Sequence, residues 1–287
     1  MNELPNLPNN LLLSQTFVHN GTIMLAGCCS RPVGHYQNEP LQVMYECLSL
    51  TGRIWCHHSY TNYTRHTAAH ACTKSGTFFF GGYHSPETFE YLSKNSKDWV
   101  VSDNKIPEGF QSGYAVVISH EEIWLIGGSL SDESQKTNRI LSFDTINHTF
   151  KTVDFRLIDA RAEHCCAFIP GTTKIIVTGG RGDWDVPVES SEIIDVRNKT
   201  VISGPKMNNF RANHGIGILK IENQNRVIVF GGSMKYECPN DPCDPEVPQD
   251  TVEVYIPEQQ IWEPANFKLI KPRYCFGFST INRNDFL

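Results

Sequence analysis

A glycine step recurs along this chain with a period of about fifty residues, and each time it closes a run of apolar side chains. The instances are Thr77-Phe78-Phe79-Phe80-Gly81-Gly82, Ile123-Trp124-Leu125-Ile126-Gly127-Gly128, Ile175-Ile176-Val177-Thr178-Gly179-Gly180 and Val227-Ile228-Val229-Phe230-Gly231-Gly232. A degraded fifth is Ile23-Met24-Leu25-Ala26-Gly27. The last glycines, Gly27, Gly82, Gly128, Gly180 and Gly232, lie 55, 46, 52 and 52 residues apart. A unit of that length made of a few strands indicates a radial array of small sheets. Such an array points to binding rather than to chemistry.

Two further regularities accompany the glycines. Downstream comes an apolar pair seven residues apart: Leu48/Trp55, Leu92/Trp99, Phe143/Phe150, Ile194/Val201 and Tyr255/Trp262. Polar turn residues lie between the members, so two short strands should place each pair across from one another. Upstream lies another strand, expected over 67–73, 114–119, 165–169 and 214–220. An arginine precedes most of these strands, as Arg65, Arg161, Arg211 and Arg273, with Gln111 at that phase in the remaining repeat.

These features resemble the kelch repeat, whose hallmarks are an apolar run into a diglycine and a spaced Tyr…Trp pair. Val254-Tyr255-Ile256-Pro257-Glu258-Gln259-Gln260-Ile261-Trp262 fits the second half especially well. The resemblance implies an all-β propeller of four-stranded blades over 11–287, behind a tail at 1–10. Five complete blades are expected at about 11–60, 65–105, 111–155, 161–205 and 211–265, with a partial sixth at 273–287. Six blades is the usual closure in that family, and the next diglycine would fall a few residues past Leu287. Three accounts of the open ring stand side by side: a fragment, strands supplied by a partner chain or by the first fifteen residues, and relaxation to five blades with a strap.

Gly81, Gly82, Gly127, Gly128, Gly179, Gly180, Gly231 and Gly232 read as architecture, because strand-end glycines let neighbouring sheets approach. Trp55, Trp99 and Trp262 read as packing between sheets.

The formal net charge of −6 argues against a surface for phosphate backbones or anionic lipid. No apolar run approaches the length of a membrane helix, and Leu11-Leu12-Leu13 is short for a signal-peptide core, so a cytoplasmic location is expected, with secretion as the alternative. Of the ten cysteines, Cys28-Cys29 and Cys165-Cys166 are strand neighbours that point apart, while Cys238 and Cys243 bracket a loop and could pair under oxidising conditions. The four glycosylation sequons, at Asn20, Asn62, Asn147 and Asn198, match what chance supplies.

Partner-binding candidates come from two places. Loops joining the second and third strands vary most, and long loops on a rigid scaffold carry binding residues. One contains Arg31 and Tyr36; the other is acidic and proline-rich, with Glu237, Asp241 and Asp244. Arg65, Arg161, Arg211 and Arg273 should line the same face, where they either grip carboxylates of a partner or tie down the inter-blade backbone. His164 and His214 share one repeat phase on that face and join the partner-binding candidates, with the edge of the core as the alternative. No catalytic residue, cofactor or metal site is expected. The kelch fold also carries copper-radical oxidases resembling galactose oxidase, so a carbohydrate or alcohol oxidase is the alternative function, although its Tyr/His/Cys set has no match here. The expected function is protein–protein interaction, as a scaffold or as the substrate-recognition part of a ubiquitin-ligase adaptor. The partner is a protein or peptide, not nucleic acid or membrane, and strand-sharing with another chain at the open sixth blade is a further possibility.

Overall fold

The computed structural model describes residues 11–19, 22–29, 43–49, 54–63, 65–132, 135–182, 185–235 and 246–276, and all its regular elements are strands. The first sheet comprises β1 (Leu11–His19), β2 (Thr22–Cys29), β3 (Val43–Ser49) and β4 (Ile54–Tyr60). The second holds β5 (Ala69–Cys72), β6 (Gly76–Phe80), β7 (Phe89–Ser93) and β8 (Val100–Val101). The third has β9 (Tyr114–Val117), β10 (Glu122–Ile126), β11 (Ile140–Asp144) and β12 (Thr149–Thr152). The fourth has β13 (Cys165–Phe168), β14 (Lys174–Thr178), β15 (Ser191–Asp195) and β16 (Thr200–Ser203). In the fifth, β17 (Gly215–Ile221) and β18 (Gln224–Phe230) are followed by an inserted pair, β19 (Ser233–Lys235) and β20 (Glu246–Pro248), before β21 (Val252–Ile256) and β22 (Ile261–Pro264) complete the sheet. Each four-stranded sheet is an antiparallel meander in chain order. The inner strands β1, β5, β9, β13 and β17 touch in series, giving an all-β, propeller-like arrangement.

The apolar runs are continuous because both faces of each second strand are covered. Alternation along a strand sends Ile175 and Val177 into the layer shared with the third sheet, and Ile176 into the layer shared with the fifth. Phe78 and Phe80 pack toward the third sheet, while Phe79 meets Phe17, Met24 and Trp99 on the side of the first. Four such apolar layers join the sheets pairwise.

Three of the apolar pairs face one another as expected: Phe143↔Phe150, Ile194↔Val201 and Tyr255↔Trp262. Trp55 instead sits opposite Cys47, because register shifts flank that pairing. Trp99 lies just outside β8, yet is 6% exposed and packs against Phe79 with ring centroids 5.0 Å apart and planes tilted by 43°. Trp99→Ala should cost about 3–5 kcal/mol through cavity formation, read as a lowered urea midpoint at unchanged slope. An unchanged midpoint would show that the indole is not part of the layer.

The turns explain two sequons. Asp144 accepts the Ile146 and Asn147 N–H groups at 2.8 Å, and Asn147 Nδ2 returns to it at 2.9 Å. Asp195 repeats this with Arg197 and Asn198 at 3.0 Å. Asn62 donates to Glu90 and to the Trp99 carbonyl, so it too serves the fold. The partial sixth blade expected at 273–287 falls outside the described residues from 277 onward, as do residues 1–10.

Candidate functional site

The arginines are internal anchors. Arg65, Arg161 and Arg211 are 0%, 1% and 0% exposed, which corrects their reading as partner-binding residues. Each guanidinium binds a carboxylate on the third strand of its own sheet: Arg65 Nε to Glu90 at 2.9 Å, Arg161 Nη2 to Glu192 at 2.7 Å, Arg211 Nη2 to Glu253 at 2.9 Å. Each also donates to the carbonyl of the first glycine of its own diglycine, at 2.8 Å to Gly81, 2.9 Å to Gly179 and 2.6 Å to Gly231. The main chain of the same residue reaches the preceding sheet: Gly128 N–H donates to the Arg161 carbonyl at 2.8 Å and Gly180 N–H to that of Arg211 at 2.7 Å. One residue therefore joins two sheets.

The glutamates complete the anchor. Glu192 accepts the N–H groups of Ile158 and Asp159, and Glu253 those of Asn208 and Asn209, which fixes the loop ahead of each arginine. Burial pushes the Glu253 carboxyl upward, but bonds from Asn209 and Asn208 and the charge of Arg211 outweigh it and hold the group below its ordinary range. Burial is the main influence on Arg65 and Arg211, and it lowers both.

The third sheet solves the problem differently. Phe110, and not Gln111 as the sequence spacing suggested, takes the arginine position, since its carbonyl accepts the Gly82 N–H at 3.0 Å, while Gln111 pairs with Ser129 as Ala162 does with Arg181. Leu141 takes the glutamate position, and Phe110 and Leu141 are each 1% exposed. The loop is held instead by Arg139, which bonds Glu108 at 2.6 Å and the Gly109 carbonyl. The charges have exchanged places between loop and sheet. Reading the sequence missed the glutamates, although a signal was present: each stands two residues before the first member of an apolar pair, and the leucine replaces it only where the arginine is absent.

His164 and His214 are buried at 3% and 2% exposure, which corrects their place among the partner-binding candidates and agrees with the core-edge alternative. A Cβ on Gly127 would lie 2.8 Å from His164 Cε1, and one on Gly180 2.8 Å from His164 Cβ, so the diglycines make room for this residue from both sides. Gly127 and Gly180 also have φ of 58° and 94°, where a side chain is strained. Burial, reinforced by the Arg161 charge, lowers the His164 pKa to about 3. Burial, then Arg211 and His164, brings His214 well below its ordinary value. His214 Nε2 meets Thr178 Oγ1 at 2.9 Å.

Around the axis, a cavity of about 580 Å³ is lined by the inner strands and by Thr67, Ser112, Glu163, Asn213 and Cys275. All five hold left-handed backbones, with φ between 49° and 58°. Their main chains are linked in sequence: Ser112 N–H to Thr67 O at 2.9 Å, Glu163 to Ser112 at 2.6 Å, Asn213 to Glu163 at 2.9 Å and Cys275 to Asn213 at 3.1 Å. The Glu163 carboxylate bonds Arg181 at 2.6 Å and Asn213 Nδ2 at 2.7 Å.

Burial pushes the Cys165 thiol far up and the Cys72 thiol to about 11, so neither is a nucleophile at neutral pH. Among the described residues, Cys72, Cys165 and Cys166 are free thiols. No cluster of three or more His, Cys, Asp or Glu fit to hold a metal occurs among the described residues. Arg31, Tyr36, Glu237, Asp241 and Asp244 lie outside the described residues, whereas Arg273 is exposed and accessible.

Comparison with known proteins leaves the family open and identifies the fold. No family model matches the chain, and no curated protein does. Among solved structures it is similar to that of YjhT, at 12% identity and a TM-score of 0.73, over 94% of this chain and 88% of that one. A likeness at that identity speaks to architecture alone, and together with the sheet arrangement it makes this chain a β-propeller.

Proposed function

We propose that this chain is a kelch-type propeller that recognises a partner protein through loops on one face, with five four-stranded blades and a sixth begun at 273–287. One observation carries the reading: the connection between β18 and β21 is built as a stem. Ser233–Lys235 and Glu246–Pro248 pair antiparallel, with Met234 opposite Val247. The segment that joins them, 236–245, carries Glu237, Asp241 and Asp244. The paired stem lies on the same end of the sheets as the inter-blade connections, and the three acidic residues in the sequence between its strands suit a basic peptide. The kelch resemblance extends the proposal to the substrate-recognition part of a ubiquitin-ligase adaptor, or to a free-standing scaffold.

The test is selection of displayed peptides on the chain. Lysine- and arginine-rich sequences should be enriched, and the enrichment should vanish when 236–245 is replaced by Asn-Gly, a turn that preserves the stem. It should also fall when Glu237, Asp241 and Asp244 become amides, with the melting temperature unchanged. Enrichment indifferent to these changes would refute the reading.

A further inference from the structure

The fifth sheet lacks one bond that the second, third and fourth all make. In those three, the residue after the third strand donates its N–H to the turn between the first and second strands. Lys94 reaches Ser75 O at 3.2 Å, Thr145 reaches Glu121 O at 2.9 Å and Val196 reaches Thr173 O at 3.1 Å. Ser75, Glu121 and Thr173 each stand six residues before the first glycine of a diglycine, as Asn225 does. The residue placed to donate to Asn225 is Pro257, which has no N–H. A cavity of about 300 Å³ opens here, between the fourth and fifth sheets and at the end away from the inter-blade connections.

The cavity has an apolar floor and a short polar wall. Ile169, Val227 and Tyr255 line it at 3%, 1% and 2% exposure, flanked by Pro170 and Pro257. The Tyr255 hydroxyl makes no hydrogen bond among the described residues and is not sealed from solvent, so it faces the opening. Burial, and then the Glu258 charge, raise the phenol above its ordinary value, so the group remains an O–H. At the rim, the Arg226 side chain pairs with Glu258 and with Gln224, which leaves no unpaired charge in the lining. Both walls are fixed by their own turns. Ile169 N–H donates to Lys174 O at 2.8 Å and Thr172 N–H to Ile169 O at 3.1 Å, while Glu222 and Asn223 form a two-residue hairpin turn with φ of 47° and 64°.

We infer that this cavity binds a small uncharged aromatic molecule that carries an O–H or N–H donor. The proline and phenol rings give flat apolar walls that suit an aromatic ring. The volume exceeds the roughly 150 Å³ of a dry apolar cavity that holds benzene. The Tyr255 oxygen, and the Asn225 carbonyl that Pro257 leaves without its usual donor, are acceptors for the ligand's proton. The pairing of Arg226 with Glu258 gives an ion nothing to hold. The site is independent of partner recognition by the loops, which occupy the opposite end of the sheets.

Calorimetric titration of the full chain with phenol, and with anisole, which lacks the O–H, tests the site. Phenol should bind saturably at one site, and anisole at least tenfold more weakly. Two variants copy residues that the third sheet carries at the same phases, Phe143 and Thr145. Tyr255→Phe should weaken phenol about tenfold and leave anisole as it was. Pro257→Thr restores an N–H for Asn225 and should abolish binding of both probes at an unchanged or higher melting temperature. Absence of saturable phenol binding would overturn the inference. So would equal affinity for phenol and anisole, or phenol binding untouched by either substitution.

Discussion

Arg161→Gln should destabilise the chain by about 3–5 kcal/mol, because it leaves Glu192 charged, buried and without its guanidinium. Glu192→Leu should cost a similar ~3–5 kcal/mol, since Arg161 and the N–H groups of Ile158 and Asp159 all lose their acceptor. The double substitution removes both buried charges together, as the third sheet does with Phe110 and Leu141 at these two positions. It should therefore cost less than the sum of the two, by about 2–3 kcal/mol of coupling. It should not return to the parent, because the third sheet also holds its loop through Arg139 and Glu108, which this change does not supply. Denaturant unfolding of the four proteins measures the cycle. Strict additivity would show that the two positions do not act as a unit.

Acid should unfold this chain earlier than its carboxylates alone would dictate. His164 has its folded pKa lowered to about 3, and His214 is also well below 6.5. A depressed histidine keeps its proton off in the fold while the unfolded chain takes one up. The contribution to stability is complete above the unfolded pKa and is lost as pH falls from about 6.5 toward the folded value. The limiting slope is about 1.4 kcal/mol per pH unit for one group, so His164 alone removes on the order of 3 kcal/mol between pH 7 and 4.5, and His214 adds to the fall in the same direction. Protonation also brings each imidazolium toward a buried guanidinium, Arg161 for one and Arg211 for the other. Stability measured by denaturant at several pH values should fall steeply over that window. His164→Gln should lower stability at pH 7 yet flatten the slope, leaving the part that His214 supplies. A parent profile that stays level down to pH 4.5 would refute the assignment.

The repeat period and strand order were legible because both faces of each second strand are covered, which leaves continuous apolar runs such as 175–177 that stop at glycine. The pairing of Phe143 with Phe150 followed from spacing alone. Trp55 did not, because a register shift cannot be seen in residue identity. The arginines were visible but their role was not. A guanidinium in a repeat offers the same donors to an external carboxylate and to an internal one. Only the placement of Glu90, Glu192 and Glu253 decides between them, and their distances in sequence from the arginines vary with the loops between. The left-handed positions were not legible at all, since Thr67, Ser112, Glu163, Asn213 and Cys275 share a backbone but no side-chain chemistry.

That last mismatch has an evolutionary reading. The bonds that run from one axial residue to the next use only amide and carbonyl groups, which point substitution cannot edit unless it introduces proline. Apart from the bond between Glu163 and Asn213, the side chains at those five places are consequently released from holding the run together. Within a single molecule they have already diversified into two hydroxyls, a carboxylate, an amide and a thiol, so new specificity can be tried there one residue at a time while the joinery stays fixed.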